Sequence, residues 1–236
     1  MSGGVVAIDG PAASGKSSTA RAVAEALGFA HLDSGSLYRG VTLVALREAG
    51  RRGLERSRVL ESLDPETILR AAEDRGLMLQ SDGVGFAAYL EGEPAEDALR
   101  SPEVTAQVSA IAAIPVVREW VNSRLRAMVR AGQDVVVDGR DIGTVVFPDA
   151  DLKIFLTATP EARAGRRISQ RGLQVHQDHL DAETAALAAR DHADSTRAIA
   201  PLRPADDAIH LDTTAMGFDE QVRFIVERAR PIFPGP

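Results

Sequence analysis

The chain contains no cysteine and almost no lysine. The lack of cysteine excludes disulfides and thiolate metal sites, and it is typical of proteins from reducing compartments, so we expect a cytoplasmic location. Lys16 and Lys153 are the only lysines among 27 basic residues, which leaves arginine to supply almost every positive charge. A lysine that falls inside a motif is therefore less easily explained by chance.

Long hydrophobic runs are also missing. No stretch approaches the roughly 18 apolar residues of a membrane span, and Met1–Gly4 lacks the features of a signal peptide, so we expect no membrane partner. The net charge of −7 argues against a surface for nucleic-acid polymers. With 236 residues, 44% of them hydrophobic, the chain suits one large domain with a substantial core, or one such domain with a small insert.

The most informative motif lies near the N-terminus, where Gly10–Ser17 fits G-x-x-x-x-G-K-[ST]. An apolar, β-branched run precedes it at Val5–Asp9, and Lys16–Leu27 has the apolar spacing of a helix. Strand, glycine-rich turn and helix start are the context of a loop that binds nucleoside triphosphates, with Lys16 on the β- and γ-phosphates and the Ser17 hydroxyl on Mg²⁺. The residues predicted to bind the triphosphate are Gly10, Pro11, Ala12, Ala13, Ser14, Gly15, Lys16, Ser17 and Ser18.

Strand-like and helix-like patterns alternate along most of the chain, which predicts an α/β fold with a parallel sheet of about five strands flanked by helices. The further strand patterns are Ala30–Leu32, Val135–Asp138, Lys153–Leu156 and Ile209–Asp212. The further helix patterns are Ser36–Ala49, Ser101–Ala131 (interrupted at Pro115), Pro160–Gln170, Asp181–Ala198 and Phe218–Ala229. The site is expected at the carboxyl edge of the strands.

One segment departs from this alternation. Leu77–Gln80 and Ala87–Leu90 look like short strands joined by a turn-rich stretch at 81–85. We therefore predict a small antiparallel insert of about three strands at residues 66–98, docked as a substrate-side lobe on a core domain formed by residues 1–65 and 99–236.

Three further clusters carry candidate chemistry. After the second strand, Ser34, Tyr38 and Arg39 either converge on a second anion, which we favour, or represent a helix cap followed by surface residues. After the strand at Val135, Asp138 occupies the place of a carboxylate that binds Mg²⁺ through water, and Arg140 and Asp141 follow it. The alternative for that pair is a turn with a surface ion pair.

The third cluster is rich in arginine. Arg190, Asp194 and Arg197 are spaced i, i+4 and i+7, which places them on one helix face. A solvated salt-bridge ladder would explain this spacing, whereas phosphoryl transfer would use the same guanidinium groups on phosphate oxygens. Further arginines precede this helix, within Arg163–Arg171.

Taken in order, these segments resemble the bacterial cytidylate kinases, nucleoside monophosphate kinases that phosphorylate CMP and dCMP. The resemblance rests on Asp9-Gly10-Pro11 with its loop, Asp33-Ser34-Gly35 with Tyr38-Arg39, the run 138–148, and Arg190, Asp194 and Arg197 leading to Ala200-Pro201-Leu202. It extends from the first strand to the last helix, and the insert corresponds to the family's extra CMP-side domain.

The resemblance implies transfer of the ATP γ-phosphoryl group to CMP or dCMP, with Mg²⁺, by a chain that we expect to be monomeric. It places the CMP site on Ser34, Arg39, Ser109, Arg118, Arg140, Asp141, Arg190, Asp194 and Arg197. Arg39, Arg118 and Arg140 would bind the monophosphate or the base-side polar network. Asp194 and Arg190 would lie by the sugar, and Ser109, Arg118 and Asp141 would distinguish cytosine from uracil. Ala193 and Ser195 stand where family members often carry further arginines.

The expected mechanism needs no strong general base, because the acceptor is already an ionised phosphate, and none of the five histidines lies in the motifs. The residues expected to act in catalysis are Lys16, Asp138, Arg140 and Arg197, under a lid at about 158–180 that excludes water. Alternatives are a kinase for UMP, AMP or shikimate, or a nucleotide-binding regulatory switch protein. The insert and the run Asp138–Asp141 weigh against the other kinases. The lack of a guanine-reading Asn-Lys-x-Asp weighs against a regulatory switch protein.

Overall fold

A computed structural model describes residues 3–55, 63–81, 83, 85–130, 132–172 and 174–234. In chain order, the strands are β1 (Val5–Asp9), β2 (Ala30–Asp33), β3 (Met78–Ser81), β4 (Gly85–Leu90), β5 (Glu93–Pro94), β6 (Val135–Gly139), β7 (Leu152–Thr157) and β8 (Ile209–Asp212). The helices are α1 (Lys16–Leu27), α2 (Ser34–Arg51), α3 (Pro65–Asp74), α4 (Glu96–Leu99), α5 (Pro102–Ile111), α6 (Pro115–Val129), α7 (Pro160–Gln170), α8 (Gln177–Thr196) and α9 (Phe218–Ala229). These elements form two compact units, the first from residues 1–31 and 129–236 and the second from residues 32–128.

The first unit is built on a parallel sheet. Strand β1 lies between β6 and β7, so that Val6 is in register with Val136 and Leu152, and β8 continues the sheet beyond β7. Ala30, at the start of β2, donates its N–H to the carbonyl of Asp134. Because the strands are parallel, the loops that follow β1 and β6 emerge at the same edge of the sheet.

Apolar side chains of these strands pack against helices of the same unit. All five residues of β1 are buried, as expected for a central parallel strand without polar alternation. Helices α1 and α9 pack on each other and on the sheet. The buried cluster between them includes Val6, Ile8, Val23, Ala24, Leu156, Ile225 and Val226.

The second unit combines an antiparallel β meander with helices. Strands β3 and β4 pair antiparallel, with Leu79 opposite Ala88, and β5 pairs with the far edge of β4. Helix α2 packs against α3, α5 and β4. The predicted turn at 81–85 includes Asp82 and Val84, which lie outside the described residues. The predicted α/β class, with a parallel sheet, flanking helices and a small antiparallel β element, is confirmed.

Several helices begin where a capping side chain precedes a proline. Asp64 accepts the N–H of Thr67 before Pro65–Asp74, and the same arrangement begins α5 at Ser101 and α7 at Thr159. Such a cap satisfies an open N–H group of the first turn, and proline has no N–H to leave open. Helix α7 and helix α9 have the predicted bounds. Helix α3 was not predicted from the sequence, although its buried Ile68, Leu69 and Ala72 follow helical spacing.

Within the described ranges, no single helix is long and apolar enough to cross a membrane. Helices α5 and α6 together reach the length and apolar composition of a membrane span, but the chain bends by 100° at the break between them.

Candidate active site

The loop after β1 has the geometry of an anion-binding turn. A Cβ on Gly10 would lie 2.2 Å from the carbonyl oxygen of Leu156, so this position requires glycine. Gly15 has φ +90° and caps α1 without any side-chain acceptor, which leaves the first-turn N–H groups directed at the loop. Lys16 is only 7% exposed, and its ammonium donates to the Pro11 carbonyl at 3.1 Å.

A buried hydroxyl inside the loop also fits a phosphate. The Oγ of Ser14 has no hydrogen-bond partner among the described residues, although the side chain is fully buried. A buried polar group without a partner is costly, and a phosphate oxygen beside the helix N-terminus would supply the missing acceptor. The loop therefore fits the polyphosphate that its motif predicts.

Ser17 is linked to the carboxylate at the end of β6. Its hydroxyl donates to Oδ2 of Asp138 at 2.5 Å, and His31 Nε2 lies 2.8 Å from Oδ1 of the same carboxylate. Asp138 is 2% exposed, and burial by itself would raise its pKa. The hydrogen bond and charge of His31, with Lys16 and Ser17, outweigh burial and hold the pKa of Asp138 below its usual value.

His31 is a residue of the site that lies outside all of the sequence motifs and was not predicted. It is buried in β2 and contacts the predicted Mg²⁺-side carboxylate directly. The only signal in the sequence is its position in an apolar strand two residues before Asp33. That position is also typical of an ordinary buried residue.

Asp9, the last residue of β1, holds the turn that follows β6. Its two carboxylate oxygens accept the N–H groups of Ile142 and Gly143, each at 2.8 Å. Burial raises the pKa of Asp9 to about 6, against the lowering effect of those two hydrogen bonds. A Cβ on Gly143 would lie 3.1 Å from the side chain of Lys153 and 3.5 Å from Asp9, so glycine suits this crowded turn. Asp9 thus anchors the segment that carries Arg140 and Asp141.

Arg140 and Asp141 each reach the end of α8. Arg140 Nε donates to Asp194 Oδ2 at 2.9 Å, and Arg197 Nη2 lies 3.5 Å from Asp141 Oδ1. Asp194 is 4% exposed, and burial alone would raise its pKa, but the charges of Arg140, Arg190 and Arg197 hold the pKa below its usual value. A buried carboxylate among guanidinium groups does not match the solvated ladder that the spacing also allowed.

The helix-face prediction for this set is wrong at one position. Helix α8 ends at Thr196, and Arg197 has extended backbone angles. Its Nε donates to the carbonyl of Ala200, which has φ +50°. The chain therefore turns at Arg197, and this residue reaches Asp141 from the end of the helix rather than from its face.

The arginines of α7 contact the triphosphate loop and α8. Arg163 donates to the carbonyl of Ala12 at 2.8 Å, and Arg166 donates to Ser14 and Thr213. Arg167 and Arg171 both pair with Glu183 on α8. The predicted lid at 158–180 spans α7 and the start of α8, and its Leu173 lies outside the described residues.

The remaining predicted substrate residues belong to the second unit. Tyr38 is 8% exposed and donates to Asn122 at 3.5 Å, and the guanidinium of Arg118 lies 5.5 Å from its ring centroid. Arg39 donates to the Leu99 carbonyl and the Thr105 hydroxyl at about 3 Å. Tyr38 and Arg39 are thus engaged rather than surface residues.

The other interpretation of this segment, a helix cap followed by surface residues, is correct only for the cap. Asp33 accepts the N–H of Gly35 at the start of α2. Ser34, the first residue of α2, is buried, and Ser109 is half-buried on α5. In this unit the fold brings together Tyr38 and Arg118 among the predicted substrate residues.

No group of three or more metal-ligating side chains is found in the ranges that the structure describes. Mg²⁺ does not require one, since it commonly takes one or two protein oxygens and completes its shell with water and substrate phosphates. The Ser17 hydroxyl, held by a buried carboxylate, fits this type of site.

The family model and the relatives that match this chain carry the same description. The family model described as cytidylate kinase matches residues 6–231. A cytidylate kinase of Rhodococcus jostii (strain RHA1) is 42% identical over 218 residues, covering 92% of this chain and 91% of the relative. One from Streptomyces griseus is 42% identical over 223 residues, covering 94% and 90%. One from Streptococcus pyogenes serotype M12 is 41% identical over 230 residues and covers 96% of both chains.

Proposed function

The chain belongs to the cytidylate kinase family, and we propose that it transfers the γ-phosphoryl group of ATP to CMP or dCMP, giving ADP and CDP or dCDP. The observation that carries the proposal is the arrangement at the carboxyl edge of β1 and β6. The loop at 10–17 lies there with the Ser17–Asp138 hydrogen bond, and the Arg140–Asp194 pair follows β6 directly.

The donor half of the site uses the residues of the triphosphate loop. The N–H groups of 10–18 and the Lys16 ammonium would bind the phosphates of ATP. The Ser17 hydroxyl, oriented by Asp138, would hold Mg²⁺. When bound, this ion would neutralise charge on the phosphate oxygens.

We propose that CMP is bound by the residues that the family resemblance indicates. They are Ser34, Tyr38, Arg39, Ser109, Arg118, Arg140, Asp141, Arg190, Asp194 and Arg197. Arg39, Arg118 and Arg140 would bind the monophosphate or the base-side polar network, and Asp194 and Arg190 would lie by the sugar hydroxyls. Ser109, Arg118 and Asp141 would select cytosine. The burial of Asp194 supports this assignment. Its carboxylate pairs with Arg140 inside the protein and is not part of a solvent-exposed salt-bridge ladder.

The chemistry follows from charge and position. The attacking oxygen belongs to a phosphate that is largely ionised near neutral pH, so no side chain has to remove a proton. Lys16, Arg140 and Arg197 would stabilise the charge that spreads over the transferring group, and Asp138 would act by orienting Ser17. Closure of the segment at about 158–180 would keep water from the γ-phosphate.

A coupled assay of ADP release tests the activity. Initial rates with CMP, dCMP, UMP, AMP and shikimate should give the highest kcat/KM for CMP and dCMP, and the Lys16→Ala variant should remove the signal. A higher kcat/KM for UMP, AMP or shikimate would replace the proposed acceptor.

We propose that residues 66–98 form a CMP-side insert, distinct from a core domain made by 1–65 and 99–236. The β3–β4–β5 meander is small and carries few buried side chains of its own, which is typical of segments with low local stability. Saturating CMP should slow amide hydrogen exchange across Leu77–Leu90, whereas ATP alone should protect mainly Gly10–Ser18. Exchange in Leu77–Leu90 that is indifferent to CMP would exclude a substrate role for the meander.

We further propose that the protein acts as a cytoplasmic monomer. The absence of cysteine is consistent with a reducing compartment. Light scattering on the purified protein should give a mass near the 25.1 kDa of one chain.

A further inference from the structure

A partly buried ion pair between α7 and α8 binds the triphosphate loop. Arg163 on α7 and Asp191 on α8 lie 2.6 Å apart, Nη1 to Oδ2, with side chains 6% and 20% exposed. Both bind the same loop residue, Ala12. Asp191 Oδ1 accepts its N–H at 2.9 Å, and Arg163 Nη1 donates to its carbonyl at 2.8 Å. Both backbone groups of Ala12 are therefore held by one charged pair.

Apolar contacts connect the same elements. Ala12 is buried in a small cluster with Ala164 of α7 and Leu187 of α8, and Ala13 packs against it. Leu187 lies one helical turn before Asp191, so one face of α8 provides both the apolar contact and the carboxylate. The loop thus rests on α7 and α8 together.

The loop needs such support because its backbone is not intrinsically favoured. Ala13 has φ +57°, in the left-handed region that any residue with a Cβ disfavours. The conformation at Ala12 and Ala13 sets the direction of the N–H groups that follow, and those groups are the ones that would bind phosphate. Contacts that hold Ala12 therefore help to orient them.

Helix α8 also reaches the substrate residues, by a neighbouring carboxylate. Asp194 lies three residues after Asp191 and accepts from Arg140 at 2.9 Å. We propose that Asp191 is a positioning residue for the ATP loop, so that α8 serves the two substrates through separate carboxylates. Asp191 acts on ATP through Ala12, and Asp194 acts on CMP through Arg140. The CMP half rests on the proposed function, whereas the ATP half requires only the loop.

Separate binding measurements test this division. Calorimetry with a non-hydrolysable ATP analogue should show about tenfold weaker binding to Asp191→Asn, because a charge-assisted hydrogen bond is lost, with the Kd for CMP within twofold of wild type. Asp194→Asn should show the converse. Hydrogen exchange at the Ala12 amide should be faster in Asp191→Asn and unchanged in Asp194→Asn.

Glu183→Gln is the matched control. It removes the ion pairs of Arg167 and Arg171, which also join α7 to α8, without touching the loop. Both Kd values should stay within twofold of wild type. Arg163→Lys removes the guanidinium that pairs with Asp191 and binds the Ala12 carbonyl, and it should weaken binding of the ATP analogue selectively. It takes the place of Asp191→Asn if that variant does not fold.

Three results would overturn the inference. They are an ATP-analogue Kd within twofold of wild type in Asp191→Asn, an equal loss of affinity for both ligands, or an equal effect of Glu183→Gln. If the wild-type protein binds the ATP analogue but not CMP, the proposed function fails. The role of Asp191 is then judged on affinity for the ATP analogue and on exchange at Ala12.

Discussion

The pH dependence of stability should report directly on Asp9. Its carboxylate is buried and accepts two backbone N–H groups, and burial raises its pKa from 3.8 to about 6. Near pH 4 to 6 the folded protein retains a proton that the unfolded chain has released. The free energy of unfolding therefore falls as the pH rises through this window. The difference between the two pKa values corresponds to about 3 kcal/mol, all of which is lost above pH 6.

Asp9→Asn isolates this contribution, because asparagine does not titrate. Asparagine offers only one acceptor oxygen, so one N–H group of the turn faces the side-chain NH₂ instead. The resulting loss of stability does not change with pH. The difference in unfolding free energy, variant minus wild type, should thus rise by about 2.4 kcal/mol between pH 4 and pH 7. Asp138 and Asp194, whose lowered pKa values act in the opposite direction, are present in both proteins and cancel.

Urea unfolding followed by circular dichroism at several pH values measures the difference. A difference that stays constant from pH 4 to pH 7 would refute the reasoning. If Asp9→Asn does not fold, a ¹³C NMR titration of the wild-type carboxyl group measures the same pKa, and a midpoint near 4 would be equally contradictory.

Substitutions at four positions test the site itself. Lys16→Ala should leave the circular dichroism spectrum unchanged and lower the single-turnover rate by a factor of about 10³ or more, since a charge on the transferring group is lost; near-normal turnover would exclude the loop assignment. Arg190→Ala and Asp194→Ala should raise KM for CMP more than KM for ATP, and a rise in the KM for ATP alone would assign them to the ATP side. His31→Leu should raise the Mg²⁺ concentration for half-maximal rate about tenfold, because Asp138 loses a hydrogen bond, while His31→Gln should retain most of the affinity. An equal effect of the two His31 variants on Mg²⁺-dependent nucleotide binding would indicate a packing role instead.

Much of the fold could be predicted because it depends on neighbours in the chain. The loop motif lies within eight residues, and Gly15 has a φ of +90°, a local conformation that glycine adopts without strain. A capping side chain before a proline defined the start of α7, and apolar spacing defined α9. Local patterns were less informative where a helix ends without a strong signal. Arg197 was expected on the face of α8, yet the helix ends one residue earlier.

The sequence by itself determined the triphosphate loop, the alternation of strands and helices, and the residues that carry the family resemblance. Only the tertiary structure decided which distant residues complete the site. His31 meets Asp138 across 107 residues, Asp9 meets Ile142 across 133, and Ala12 meets Asp191 across 179. Each contact depends on strand pairing or helix packing between remote segments, and a buried polar group can be satisfied there by many partners. Local sequence patterns indicate that a polar residue lies in a buried strand or helix, whereas the packing of the whole unit determines which group it contacts.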